Sequence, residues 1–300
     1  MLAAVIVTYN RKKLLENNIR MLLEQRMAFD RIFIVDNCST DGTYELLSHN
    51  GWIDDNRFAY IRTESNIGGA GGFCTGTKAA FESGADYIVL MDDDGAAADS
   101  ETFSELYKAA ETMHSKNPLL FVNSLVQQGD MLSFKMGSRY SVAEALSAAK
   151  DGLIDNEANP FNGTLVSREL VEKIGYPNPD FFIKGDEVNY KHRAMKAGAR
   201  VVTVVTSRYN HPRPDTFERV VLGKKVPFFV EAPWKEYYAA RNFTWMYKQE
   251  KQYKAIAFEL VFVKLLAILT IKCKKIATVK MLVRGVNDGW HGRLGATVKP

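Results

Sequence analysis

Only three cysteines occur in the 300-residue chain, Cys38, Cys74 and Cys273, and none is paired in CxxC spacing. That scarcity argues against a disulfide framework or a cysteine zinc site and points to a reducing compartment. Neither sign of charge dominates: 39 Lys and Arg stand against 35 Asp and Glu, a net charge of +4. So small a basic excess gives no electrostatic footprint for nucleic acid. The opening stretch, MLAAVIVTYNRKK, lacks a basic segment ahead of its apolar run and lacks a small-residue cleavage site, so it does not read as a signal peptide. The same run is too short to span a bilayer. Internal repeats and low-complexity tracts are missing. What remains is an ordinary globular composition, 46% hydrophobic and 25% charged, enough for one large α/β unit or two domains.

The first hundred residues alternate between two patterns. Residues 2–8 are a β-branched apolar run, as a strand buried on both faces requires. Residues 11–26 carry Leu14, Leu15, Ile19, Leu22 and Leu23 at helical spacing. Further strands are expected at 31–36, 58–62 and 87–91, with helices at 44–49 and 72–82. This order predicts a mostly parallel sheet with helices on both faces. Ligands of such sheets bind beyond the carboxyl ends of the strands. The polar clusters fall there: Thr8-Tyr9-Asn10, Asp36-Asn37, the segment 66–72, and Asp92 to Asp94. Beyond residue 100 the pattern predicts helices at 100–114, 167–174 and 188–197, and strands at 119–126, 163–166 and 200–206. Residues 127–159 show no clear period and read as a lid or acceptor loop. From Trp234 the chain reads as helical nearly to Arg284.

Four segments carry chemistry. Asp92-Asp93-Asp94-Gly95 follows the strand YIVLM, and carboxylates one residue apart at a strand end can face a divalent cation. Hard oxygen ligands suit Mg²⁺ or Mn²⁺, which would neutralise a departing diphosphate. Taken alone, an acidic triplet is a solvated turn. Asn66-Ile67-Gly68-Gly69-Ala70-Gly71-Gly72 is glycine-rich and opens a helix, so the backbone can approach an anionic ligand closely. A dinucleotide loop would instead follow the first strand. Asp186 and Glu187 open a helix after an aromatic stretch; one is a candidate general base, and capping of the helix N-terminus is the other reading. His211, after the strand VVTVV and flanked by prolines, is a candidate third metal ligand.

Together these residues resemble the inverting glycosyltransferases of family 2, which have a GT-A fold. VIVTYNR, IVDNCSTDGT and LMDDDG carry that resemblance over the first hundred residues. NIGGAGGF, FFIKGDEVNY, NHPRP and YYAARN are similar to segments of a narrower group, the galactofuranosyltransferases and their rhamnosyltransferase relatives. The resemblance implies an α/β fold, a GT-A mostly parallel twisted sheet with a C-terminal helical extension. It implies a nucleotide-sugar-binding half at 1–125, an acceptor and catalytic-base half at 126–232, and a helical region at 233–300. Thr8, Tyr9 and Asn10, with Arg11 beside them, would touch the base and ribose of the donor. Asp36 would hydrogen-bond the uracil or thymine. Asn66, Gly69, Gly71 and Gly72 would line the donor pocket, with Asp93 facing the donor. Asp92, Asp94 and His211 would hold the metal. The second acid, Glu187, matches the family's base position, although relatives more often carry Asp there; Asn189 also departs from an acid in relatives.

The expected reaction is metal-dependent, inverting transfer of a sugar onto a glycan or lipid-linked acceptor. Galactofuranose from its UDP donor is the first expectation and rhamnose from dTDP-rhamnose the second. A silent nucleotide-sugar-binding scaffold is the alternative of another class, and the full acid set argues against it. Residues 254–280 are apolar, interrupted by Glu259 and Lys264 and flanked by Lys272, Lys274, Lys275 and Lys280. That composition fits a helix lying on an anionic membrane surface, or a seam with a second copy of the chain. The expected location is the cytoplasmic face of the cell membrane.

Overall fold

Apolar runs that must be covered on both faces build the sheet. In a computed structural model that describes residues 1–214, 217–221, 224–228, 230–270 and 274–299, the chain divides into two compact units. One comprises Met1–Pro177 and Tyr190–Arg213, the other Asn178–Asn189 and Pro214–Pro300.

The first unit opens with β1 (Leu2–Thr8), α1 (Lys12–Leu23), β2 (Arg31–Asp36), α2 (Thr43–His49), β3 (Phe58–Arg62), α3 (Gly68–Glu82) and β4 (Tyr87–Asp92). Every residue of β1 is buried. Leu15, Ile19 and Leu22 form the inner face of α1. The two-residue β5 (Ala96–Ala97), α4 (Thr102–His114) and β6 (Leu120–Gln128) follow. The segment without a clear period, 127–159, contains β7 (Met131–Met136), β8 (Arg139–Ser141), α5 (Val142–Ala148) and β9 (Leu153–Asp155). Ser141 caps α5 reciprocally with Glu144, a capping box. Then come β10 (Asn162–Ser167), α6 (Arg168–Ile174), α7 (Asp186–Lys196), whose residues from Tyr190 lie in this unit, and β11 (Arg200–Asn210).

The main sheet runs β3-β2-β1-β4-β10-β6-β11-β5. β1, β2, β3 and β4 are mutually parallel, and β6 is parallel to β11. β10 is antiparallel to both of its neighbours, β4 and β6. The helix-flanked α/β sheet expected from the sequence is therefore present, parallel along β3-β2-β1-β4 and between β6 and β11, with β10 reversed at its centre and β5, β7 and β9 antiparallel to their partners at the other end.

Two details depart from expectation. α3 begins at Gly68, so the glycine-rich segment is the first turn of the helix and not a loop before it. β11 runs on to Asn210, four residues beyond the expected end, through a register shift against β6 between Val204 and Arg208. Ser207 sits in that irregularity, where its hydroxyl donates to the Thr102 carbonyl (2.7 Å).

The second unit contains a two-stranded antiparallel sheet, β12 (Phe217–Val221) and β13 (Lys224–Phe228). Among the described residues, α8 (Pro233–Gln249), the short α9 (Tyr253–Ala255), α10 (Lys264–Thr270) and α11 (Lys275–Trp290) follow, with a π-helical segment at Ile256–Val263. The helical region is thus broken at several points. Lys272 and Cys273 lie outside the described residues.

Candidate active site

The carboxyl ends of β1, β4 and β11 bring one polar cluster together. Asp93 is only 4% exposed. The Thr8 hydroxyl donates to its Oδ2 (2.7 Å), and Arg11 Nη1 donates to its Oδ1 (3.1 Å). Burial raises the Asp93 pKa, and the Arg11 charge and the Thr8 hydrogen bond only partly offset it. The same Arg11 nitrogen reaches Asp94 Oδ2 (2.8 Å) while the side chain stays half-exposed. It is therefore a half-exposed cation at the rim, held by two carboxylates.

On its other side Asp94 meets His211: Oδ1 and Nε2 are 3.2 Å apart. Nδ1 of His211 lies 2.7 Å from the Pro212 carbonyl, which only accepts, so Nδ1 carries a proton. Nε2 and the carboxylate then face each other as two acceptors and need a cation between them. With a proton there, burial works against the imidazolium, but the Asp94 hydrogen bond and charge prevail and the His211 pKa is raised. The Asp94 pKa is lowered: burial opposes the charge, and the His211 hydrogen bond outweighs it. A divalent ion fits the same two donors, and a backbone carbonyl on the remote nitrogen is a common way to orient a metal-binding imidazole. Among the described residues no group of three or more His, Cys, Asp or Glu side chains is gathered for a metal, so Asp92 is not assembled with Asp94 and His211 into one set.

Distant residues create this geometry. The irregularity in β11 sets up the register that delivers His211, whose amide donates to the Gln127 carbonyl (3.0 Å). Phe134 on β7 packs its ring 5.1 Å from the imidazole. Tyr209 is fully buried, and a Cβ on Gly95 would lie 2.9 Å from its Cζ, so the turn after Asp94 requires glycine. Asn18 Nδ2 pins the Asp92 carbonyl (2.9 Å). A cleft of about 360 Å³ opens beside the pair, lined by Asn17, Asp94, Gln127, Gln128, Asn210 and His211. Sequence reasoning missed Asn18 and Phe134; neither carries a local signal, since one lies inside a helix and the other in the segment without a clear period.

A second cluster lies at the ends of β1, β2 and β3. Asn10 takes a left-handed conformation (φ 53°). Its amide donates to Ser39 Oγ (2.9 Å) and its Oδ1 accepts from the Thr40 amide (2.7 Å). Asp36 is fully buried, accepting from the Ser39 amide (2.8 Å) and from the Tyr60 hydroxyl (2.6 Å), with Arg62 3.8 Å away. The carboxylate expected to meet a base is thus sealed by protein groups. Tyr9 is 42% exposed at this rim, with Asn10, Thr40 and Arg62 exposed beside it. Tyr60 and Arg62 were missed, although the strand-end rule that singled out Asp36 applies equally to β3.

The glycines divide by role. Gly69 faces open space, whereas a Cβ on Gly71 would press on Ile67. A Cβ on Gly72 would overlap Val7 and come within 3.3 Å of Asn37 Nδ2. Gly72 therefore serves the close approach of α3 to β1. Asn66 Oδ1 accepts from the Gly68 amide (2.8 Å), shaping the entry to the helix.

Residues 3–118 match the model of the glycosyl transferase family 2. Galactofuranosyltransferase GlfT1 of Mycolicibacterium smegmatis is 30% identical over 247 residues, 80% of each chain. GlfT1 of Mycobacterium tuberculosis is 30% identical over 266 residues, 85% of each chain. The chain belongs to glycosyltransferase family 2. The solved mannosyltransferase PcManGT of Pyrobaculum calidifontis, in complex with GDP-Man and Mn²⁺, superposes with a TM-score of 0.58 at 14% identity. That alignment covers 97% of this chain and 87% of the other, and it agrees with the GT-A fold.

The transferase carries its two remaining candidate acids, Asp186 and Glu187, in the second unit. Asp186 is 5% exposed. Glu187 is partly exposed, and its Oε2 accepts from the Gly185 amide (2.9 Å). The backbone just before them is contorted. Phe182 has φ 63° and ψ −67°, and the Ile183 amide donates to the Phe181 carbonyl (2.8 Å), a γ-turn of the strained hand. Lys184 (φ 67°) and Gly185 (φ 87°) are also left-handed. Each non-glycine outlier costs on the order of 1–3 kcal/mol and persists only where its surroundings hold it.

Proposed function

We propose that this transferase moves galactofuranose from UDP-galactofuranose onto a glycan or lipid-linked acceptor, with inversion and with a bound Mn²⁺ or Mg²⁺. The observation that supports the metal-dependent reading is the facing pair Asp94 and His211, a carboxylate oxygen and an imidazole nitrogen 3.2 Å apart that a proton or a divalent ion can bridge, beside the rim cation Arg11. The GlfT1 relatives, similar over 80–85% of both chains, support the sugar.

Asp94 and His211 would hold the ion; when bound it would neutralise the departing nucleoside diphosphate. Arg11 binds the diphosphate as well. Thr8 and Asp93 hold Arg11 in place. Tyr9 covers the base, Asn10 and Asp36 shape that rim from behind, and Gly69 lies at the mouth of the donor pocket, next to Asn66, Gly71 and Gly72. Glu187 takes the proton of the acceptor hydroxyl. The freed oxygen bonds to the anomeric carbon as the bond to the diphosphate oxygen breaks, and configuration inverts once. The partial exposure of Glu187 favours it over the buried Asp186. In this scheme 1–125 is the donor half, 126–232 the acceptor half and 233–300 an auxiliary helical region.

The same reading places the enzyme peripherally on the cytoplasmic face of a membrane. Among the described residues no helix is long and apolar enough to cross one. Phe262, Leu269, Ile276, Val283 and Trp290 are exposed, and Lys254, Lys274, Lys275 and Lys280 are exposed with them. Apolar and basic groups together suit an anionic lipid surface. A second copy of the chain is the competing occupant.

The deciding experiment is calorimetric titration of UDP-galactofuranose, UDP-galactopyranose and dTDP-rhamnose with and without Mn²⁺, followed by single-turnover transfer. Metal-dependent binding selective for the furanose is the expected result. Preference for dTDP-rhamnose would move the assignment to rhamnosyl transfer, and metal-independent binding would remove Asp94 and His211 as ligands.

A further inference from the structure

The strained backbone ahead of Asp186 and Glu187 needs something to hold it, and two wholly buried side chains on α8 supply the contacts. Asn242 is fully buried, and its Nδ2 faces the carbonyls of Phe181 (3.0 Å), Ile183 (2.9 Å) and Lys184 (2.7 Å). Carbonyls only accept, so the amide nitrogen must be the atom turned toward them. Its Oδ1 accepts from Arg241 Nε (2.8 Å), which fixes the amide in that sense. Arg241 is also fully buried. Its Nη2 donates to the carbonyls of Asp180 (3.1 Å) and Phe181 (2.9 Å), while Nη1 reaches the Gly295 carbonyl. The guanidinium lies 4.7 Å from the Tyr238 ring centroid, and the Phe182 and Tyr238 rings are 4.9 Å apart. The four carbonyls from Asp180, Phe181, Ile183 and Lys184 therefore converge on two adjacent side chains. They span both left-handed non-glycine residues of the loop, Phe182 and Lys184.

A stretch of core would not need this arrangement. Apolar packing alone leaves such carbonyls unsatisfied, and a relaxed loop would turn them to water. Strain next to candidate catalytic carboxylates, held from one side by dedicated donors, is the pattern of a pre-organised site.

We propose that Arg241 and Asn242 are positioning residues, which hold the strained 180–185 backbone so that Glu187, or Asp186, meets the acceptor hydroxyl in reactive geometry. The inference rests on the base reading given above. It assigns a function to the RN of the YYAARN segment that neither the metal nor the donor explains.

The test uses the full-length enzyme. Asn242→Ala should lower kcat by about 100-fold, the scale expected for roughly 1 Å of misplacement, while donor affinity stays within about threefold. Asn242→Gln, which keeps the amide donor, should recover part of kcat. Ile268→Val, a buried packing change elsewhere in the same unit, serves as the control for general loosening and should leave kcat near wild type. If Asn242→Ala does not fold, Asn242→Ser is read in the same way. Glu187→Gln and Asp186→Asn are measured in parallel. If neither acid variant loses transfer, the base reading fails and this inference falls with it. If an acid variant loses transfer but Asn242→Ala keeps kcat within about threefold, only the positioning role is overturned. A kcat loss in Ile268→Val equal to that in Asn242→Ala also overturns it.

Discussion

Replacing Asp94 by Asn changes one charge and almost no volume, so it isolates the electrostatics of the pair with His211. The wild-type carboxylate is 23% exposed, lies 3.2 Å from His211 Nε2, and also accepts from Arg11 at 2.8 Å. Opposite charges about 4 Å apart near a protein surface interact by about 4 kcal/mol. Partial exposure and the amide oxygen that remains reduce the net loss to about 2–3 kcal/mol, a common cost for a hydrogen-bonded charged group. Mn²⁺ should then bind about 30- to 150-fold more weakly. Calorimetry with UDP present reads this directly, and His211→Ala is measured beside it. If both side chains hold one ion, the double variant should bind little worse than the weaker single variant, because each loss already removes the shared interaction. Mn²⁺ affinity within about threefold of wild type in Asp94→Asn, or fully additive losses, would refute the reasoning.

Four further outcomes are expected. Because the His211 pKa is held above 6.5, a metal ion must displace a proton, so Mn²⁺ affinity should fall as pH drops through the raised value; calorimetry in buffers of different ionisation enthalpy counts that proton. In the metal-free protein the sign follows from the same raised pKa: the pair stabilises the fold below about 6.5 and loses that contribution as pH rises through the folded value, and thermal melts of His211→Ala should lack this dependence. Gly76→Ala should cost about 1–3 kcal/mol, since its Cβ would overlap Val5 and lie 3.0 Å from Val35 Cγ2; Val5→Ala in the same chain should restore part of the melting temperature. Charge reversal of Lys274 and Lys275 should weaken sedimentation with anionic liposomes and leave neutral liposomes unaffected, whereas a dimer seam would appear as a change in oligomeric mass.

The strands that open the chain could be read along it because their signal is local. A strand buried on both faces is a continuous apolar run, and a polar cluster must mark where it leaves the sheet. β1, β2 and β3 therefore fall at the residues their composition indicates, and Asp94, His211, Arg11 and Thr8 do converge. Pairing is another matter. Nothing in Asn162–Ser167 says that it enters the sheet antiparallel between β4 and β6, because that depends on which neighbours are open when it arrives. β8 has only three residues, and β7, as long as β2, lacks its unbroken apolar run, yet Phe134 of β7 packs against His211.

The glycine-rich segment shows how composition underdetermines role. Glycine signals freedom or close approach alike, and only the tertiary structure separates Gly69, open to solvent, from Gly72, pressed onto Val7. Asp36 likewise has the right chemistry for a ligand, but its burial beneath Tyr60 and Ser39 is a fact of three converging strands. Arg241 and Asn242 lie more than fifty residues from Asp186 and Glu187 in the chain, and only folding brings them onto the loop before those acids. The sequence alone determined which side chains are available and where the strands must end, because those depend on hydrophobicity and neighbours along the chain. Which groups touch, which are sealed and which backbone is held under strain was decided by tertiary packing, because contacts between distant segments leave no local trace.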